Sequence, residues 1–318
     1  MNRTLAVLTI LIVCATMAAA AEPLPTDYTV AMVWTALDPG ARPGALGRAY
    51  TALTDDAEAT YWNAGALGFL KKMEFTAMHE PRGVASNSEM FFDYGAFVYP
   101  TQLGTFALSL QYHNMGTSER TDEQGNFLGT MHSYGINPWL SYGKTFLDDK
   151  LGIGASVKYD YEHLFTGPGG TSSAICFDIA GQYRPFTWLR TGLAVTNIGP
   201  TIYGSMLPRT LRVGVASNVV RDKFNDLNVT ADVQKIMVNL KDSFTKEMAQ
   251  AAYCGGAEYF YFDLVGVRLG YYYLKYGDIM GLSFGAGVRY MGFSFDYANL
   301  PEGGFGEENR FTLNYRLP

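Results

Sequence analysis

Cysteine is almost missing from this 318-residue chain: there are three, and Cys14 falls in an apolar leader. The other two, Cys176 and Cys254, are too few to build a fold on disulfides, and they fall four strands apart, so free thiols are expected. Only four histidines occur, His79, His113, His132 and His163, and they are scattered rather than spaced as metal ligands. No metal or cofactor is expected. Basic residues are in the minority, 24 Lys and Arg against 30 Asp and Glu, a formal net charge of −6 with no cationic cluster. That excludes nucleic acid, whose phosphates require clustered cations. Beyond the leader no apolar run approaches the ~18 residues of a membrane-spanning helix. Any membrane insertion must therefore use strands, which satisfy their backbone in lipid only as a closed barrel.

What is present is aromatic and small. Phe, Trp and Tyr make up 14% of the chain beside 35 glycines, and the mean hydropathy of −0.02 suits a surface half in lipid and half in water. The first residues read as an address: Met1-Asn2-Arg3 is basic, Leu5 to Met17 is apolar, and Ala18 to Ala21 supplies the small residues of a cleavage site. Residues 1–20 are expected to be a removed signal peptide. Val13 before Cys14 is bulkier than lipoprotein processing prefers, so lipidation is the weaker reading.

From Met73 the dominant pattern has period two. In residues 280–290, Met280, Leu282, Phe284, Ala286, Val288 and Tyr290 share one face, and Gly281, Ser283, Gly285, Gly287 and Arg289 the other. Similar runs over 73–80, 93–100, 104–112, 133–143, 151–162, 174–184, 188–196, 210–218, 227–235, 250–262, 264–275, 291–298 and 308–317 bring the count to about 14 strands. Connections after odd strands run roughly 12, 20, 11, 13, 14, 4 and 10 residues, and those after even strands roughly 3, 7, 3, 8, 1 and 1. A soluble sandwich can imitate the alternation but has no reason to sort loop length by parity. The fold class predicted is an all-β membrane protein, a 14-stranded antiparallel transmembrane barrel over 73–318. Loop breakers fall at Gly116, Gly125 and Gly129, at Gly167-Pro168-Gly169-Gly170, and at Gly303-Gly304. Tyr112, Trp139, Tyr142, Tyr159, Trp188, Tyr271 to Tyr273 and Tyr290 read as interfacial girdles. The final strand, with Phe311, Leu313, Tyr315 and Leu317 toward lipid, is the insertion signal for the barrel assembly machinery, although it ends on Leu317-Pro318 rather than an aromatic residue.

Residues 21–72 differ in character. Small residues at three- and four-residue spacing between Gly40 and Asn63 predict short helices packed closely on a curved surface, in or against the lumen. Thr54 or Asp55 is placed to cap the second helix, with Glu58 completing a capping box. Leaving Tyr61-Trp62 exposed would be costly, which argues for a plug rather than a tail.

Gly40-Ala41-Arg42, then Gly47, Ala49, Tyr50, Thr51, Ala52, Leu53, Asp55, Asp56 and Ala57, then Tyr61-Trp62-Asn63, resemble the N-terminal signature of the PorV/PorQ family, itself similar to long-chain fatty-acid transporter barrels. Shorter likenesses follow in order at Leu151 to Tyr159, Thr196 to Pro200, Leu207-Pro208 and Phe295 to Ala298. The family continues Trp-Asn-Pro-Ala-Gly where this chain has Trp62-Asn63-Ala64-Gly65-Ala66, so a looser turn is expected after Asn63. The resemblance implies an outer-membrane barrel of a Gram-negative-type bacterium with an N-terminal element inside. It further implies a non-enzymatic component that docks or shuttles secreted cargo proteins with other components of a type IX secretion system. The alternative reading is a passive channel for hydrophobic or small solutes, suggested by the likeness to fatty-acid transporters and by a lumen face rich in Gly and Ser.

Catalysis finds little support. Gly281-Leu282-Ser283-Phe284-Gly285 matches a nucleophile-elbow string but lies mid-strand with no helix after it. Asp55-Asp56 could be an acid pair, yet carboxylates at a helix start are more often caps.

Overall fold

The computed structural model describes residues 30–83, 89–165, 170–237, 248, 250–274, 279–301 and 306–318. The signal-peptide segment, Gly167-Pro168-Gly169 and Gly303-Gly304 lie outside the described residues. Fourteen strands follow in chain order: β1 Glu74–Pro81, β2 Phe91–Thr101, β3 Gly104–Thr121, β4 Phe127–Phe146, β5 Leu151–His163, β6 Thr171–Phe186 and β7 Leu189–Ile198. The second half comprises β8 Thr210–Arg221, β9 Asn225–Ile236, β10 Ala252–Tyr261, β11 Val265–Leu274, β12 Ile279–Tyr290, β13 Phe293–Pro301 and β14 Glu307–Arg316. Each pairs antiparallel with its sequence neighbour, and β14 returns to β1 from Glu74↔Arg316 to His79↔Phe311. Closure leaves no sheet edge, the condition for strands to sit in hydrocarbon. A small hairpin, Thr201–Ile202 with Ser205–Met206, lies between β7 and β8.

The predicted alternation is realised as an inside and an outside. Leu282 is 63% exposed to the exterior while Ser283 beside it is 1% exposed. The exterior is the lipid-facing surface, and aromatic residues edge it. Phe91, Tyr112, Tyr134 and Tyr161 form one run, with ring centroids 5.8, 6.2 and 6.1 Å apart. Phe106–Tyr142, Phe224–Phe262 and Phe293–Tyr315 sit at the short-turn end, 5.0, 4.7 and 4.3 Å apart. Such belts place amphipathic rings at the headgroup level. Two expected girdle residues point inward instead: Trp139 and Tyr272 are buried against the lumen contents, because their strand positions fall on the inner face.

Connections at one end are two to four residues long. Met291-Gly292 joins β12 to β13 with both residues at positive φ, 49° and 84°, the backbone of a tight primed hairpin turn. At the other end the expected 20-residue loop is not a loop. β3 and β4 run 18 and 20 residues and carry the hairpin well past their neighbours, so Gly116 and Gly129 lie in strands and only Gly125 occupies the tip. Polar residues there hid the period: beyond Asn114 the register shifts by a bulge, and neither face is buried. His113 and His132 accordingly belong to β3 and β4.

Residues 30–72 thread the barrel: Val30 pairs with Met206 of the small hairpin, Val33, Lys71 and Lys72 are exposed, and most of the segment between is buried in the lumen. They form a 3-10 turn at Val33–Ala36, helix α1 at Ala41–Ala45, helix α2 at Ala59–Trp62, and a second 3-10 segment at Ala64–Phe69. The main hydrophobic core joins this plug, through Tyr50, Leu53, Trp62 and Leu67, to the lumen-facing Phe92, Tyr94 and Trp139.

Candidate functional site: the plugged lumen

Close approach comes first. A Cβ at Gly143 or Gly154 would overlap the Ala64 carbonyl, and one at Gly256 or Gly270 would overlap the backbone of Leu46-Gly47. Glycine on the inner face is thus where plug backbone rests directly on the wall. The Gly- and Ser-rich face that suggested an open lumen is this bearing surface, and the Ser283 hydroxyl on it accepts the Gly47 N–H at 3.0 Å.

Short plug helices leave many backbone groups unpaired, and the wall supplies their partners. Asp232 of β9 accepts the N–H groups of Tyr50 and Thr51 at 3.0 and 2.8 Å. Gln182 of β6 donates to the carbonyls of Ala52 and Thr54, and Arg190 of β7 to that of Leu53. Asn63 donates to the carbonyls of Thr51 and Gly181 and accepts the Gly65 N–H at 3.0 Å. The turn after Asn63 is therefore held by the asparagine side chain, with Ala64 in the position that follows. Tyr61 donates to the Ala36 carbonyl and Trp62 to that of Pro39, and both are buried.

Charge organises the centre. Arg42 binds Glu258 of β10 at two points, both 2.8 Å, and its Nη1 reaches Asp55 at 2.6 Å, Asp56 at 3.0 Å and the Tyr50 hydroxyl at 2.7 Å. Arg190 holds the other Asp55 oxygen at 3.0 Å, and Arg268 of β11 bridges Glu258 and Asp296 at 2.7 Å each. Signs alternate along Arg190, Asp55, Arg42, Glu258, Arg268 and Asp296, so each buried charge meets an opposite neighbour. Burial pushes the Asp55 carboxyl up, but Arg42 and Arg190 outweigh it and hold it well below the usual carboxylate range. Asp56 goes the other way: burial and the neighbouring Asp55 raise it against the pull of Arg42. The expected cap is not formed. The N-cap of α2, Glu58, makes no side-chain bond, Thr54 bonds back to the Tyr50 carbonyl, and Asp55 serves Arg42 and Arg190; Asp56 does both, one oxygen meeting Arg42 at 3.0 Å and the other accepting the Glu58 N–H at 3.2 Å.

Glu58 stands apart. It is 1% exposed and neither carboxyl oxygen has a hydrogen-bond partner. Gly40, at φ 101°, leaves room for that carboxyl where any side chain would collide with it. Burial, then Asp56 and Asp296, raises its pKa well above the normal glutamate range against the opposing Arg42 and Arg310.

The remaining predicted positions fall around this centre. Gly40 donates to the Met78 sulfur at 2.9 Å, and Ala41 to the Thr312 hydroxyl at 2.8 Å. Ala49, Ala52 and Ala57 are fully buried, each against a different part of the wall. Phe311 and Leu313 face lipid, Tyr315 stacks on Phe293, and Leu317 lies past the strand end, its N–H donating to the Met73 carbonyl at 2.9 Å. Cys176 and Cys254 are buried and free. Sequence reasoning missed Glu258, Arg268, Arg310, Asp232 and Gln182. Their only signal was a polar residue on the inner face of a strand.

No family model and no curated protein sequence matches the chain. Solved structures do. The fold is similar to that of the Ralstonia pickettii toluene transporter TbuX, with 14% identity, TM-score 0.57, and coverage of 86% of this chain and 98% of that one. It is also similar to the Pseudomonas putida toluene transporter TodX, with 9% identity, TM-score 0.56, and coverage of 88% and 98%. At these identities the likeness is one of fold, that of the closed transmembrane barrels of the outer membrane.

Proposed function

We propose that this barrel is exported to the outer membrane, after removal of residues 1–20, and admits small hydrophobic solutes by a passive route that the N-terminal plug keeps shut at rest. The observation that carries this reading is the nature of the closure. The lumen is blocked by a separate segment held through hydrogen bonds and ion pairs, not by the wall itself. A closure of that kind can be released. The wall has the fold of barrels described as toluene transporters, which supports an apolar cargo. The test is uptake of toluene into vesicles bearing the purified chain, beside vesicles bearing Arg42→Ala. Slow entry with the native chain and faster entry with the variant is the expected result. Equal, background entry with both would end the proposal.

A second reading, docking of secreted proteins in the PorV/PorQ manner, has one observation in its favour. The β3–β4 hairpin projects beyond its neighbours and carries Phe127 and Leu128 at 62% and 56% exposure. Recovery of secreted proteins with the native chain, lost on trimming residues 116–132, would select it.

A further inference from the structure

The outer wall carries a groove of about 550 Å³ that neither reading uses. Its floor is made by the smallest outward residues of two adjacent strands, Ala77 on β1 and Gly95 on β2, which pair directly. Phe311 and Leu313 form one bank, and Leu110 and Tyr112 the other. β1 is hydrogen-bonded to β2 on one side and to β14 on the other along the groove, so it is a furrow in the lipid-facing surface and not a hole in the wall.

Its outer end is polar. His79 Nδ1 and Asp93 Oδ1 lie 2.6 Å apart, with side chains 55% and 42% exposed toward lipid. Allowing roughly one residue of stagger per strand for the tilt of the barrel, the same depth is held by Val157, Phe177, Leu211 and Leu282 on β5, β6, β8 and β12 and by Tyr271 on β11, so no charged side chain faces lipid at that depth on those strands. The pair sits just inside the aromatic run through Phe91 and Tyr112, and the His79 ring lies 5.8 Å from that of Phe91. A polar pair on a lipid-facing wall costs free energy unless something polar meets it.

We infer that the furrow is a binding site for the headgroup-proximal part of one acyl chain of an outer-leaflet lipid, with His79 and Asp93 receiving the amide that joins that chain to its headgroup or a hydroxyl carried on the chain beside it. The furrow spans Ala77 to His79 along β1, about 7 Å at the rise of a strand, so its apolar banks seat the headgroup-proximal part of a chain, and the pair marks the depth at which a chain meets its linkage. Charge fixes the chemistry further. Asp93 repels a phosphate, and the histidine already occupies Asp93, which disfavours an ammonium. A neutral group that both donates and accepts satisfies the pair. The inference is independent of whether the lumen conducts.

The experiment uses the full chain in detergent micelles doped with one of two glucosamine lipids, one bearing amide-linked 3-hydroxyacyl chains and one bearing plain ester-linked chains, with retained lipid counted by native mass spectrometry. The native chain should keep one hydroxyacyl lipid and at least tenfold less of the plain one. Ala77→Leu with Gly95→Leu fills the floor and should abolish retention of both; a Cβ at Gly95 meets nothing closer than 3.7 Å, so the wall tolerates it. His79→Leu with Asp93→Leu, apolar changes on an apolar surface, should remove the preference between the two lipids. Equal retention by the native and floor-filled chains would overturn the site. Should the floor-filled chain fail to insert, a preference that survives the His79 and Asp93 changes overturns the assignment by itself.

Discussion

Arg42 of the plug and Glu258 of β10 meet in a two-point ion pair, Nε to Oε2 and Nη2 to Oε1, each at 2.8 Å, with the glutamate wholly buried. Removing one partner of a buried pair leaves the other uncompensated, a loss of about 3–5 kcal/mol. Arg42→Ala should therefore loosen the plug selectively, seen as faster amide exchange at residues 41–56 while the barrel strands remain protected. Arg42→Lys should recover only part of the protection, since an ammonium cannot match the fork geometry.

Glu58 makes the plug sensitive to pH. Its folded pKa is raised, so plug stability is fully present below the ordinary glutamate range and declines as pH rises from there toward the folded value. Amide protection of residues 56–63 should fall as the pH is raised above the ordinary glutamate range. Glu58→Gln should flatten that dependence without releasing the plug, and an unchanged slope in the variant would assign it to another group.

Gly154 tests the bearing surface. Valine there must displace the Ala64 carbonyl, whereas valine at Gly255, with nothing within 4 Å of its Cβ position, should be silent. Planar-bilayer conductance is the readout: Gly154→Val is expected to open and Gly255→Val to behave as the native chain.

The last strand closes the sheet by pairing with both β13 and β1. Deleting residues 309–318 exposes two edges in hydrocarbon and should abolish insertion. Loss of the heat-modifiable band on gels is the check.

Strand positions were legible because each has one face in lipid and one against the plug, and that difference writes a period of two into the residues, as in Leu282 and Ser283. β3 and β4 escaped beyond Asn114 because a hairpin in water has no such contrast. Trp139 and Tyr272 misled for a related reason. Aromatic character marks a girdle only if the position faces outward, and here both rings lie under cations: Lys158 is 5.4 Å from the Trp139 ring and Arg48 is 4.4 Å from that of Tyr272. The plug was visible as a segment of small residues, but the partners of Asp55 and Asp56 were not, since Arg190 is 135 residues distant and nothing local marks it.

Consecutive plug residues grip opposite sides of the seam: Gly40 holds Met78 of β1 and Ala41 holds Thr312 of β14. A segment bonded to both lips of the last joint to close, and to the strands between them, is poorly placed to enter a finished cylinder. The segment is in this sense a clasp as well as a stopper: Met78 and Thr312 pair with each other across the joint, and the plug adds one hydrogen bond to each lip.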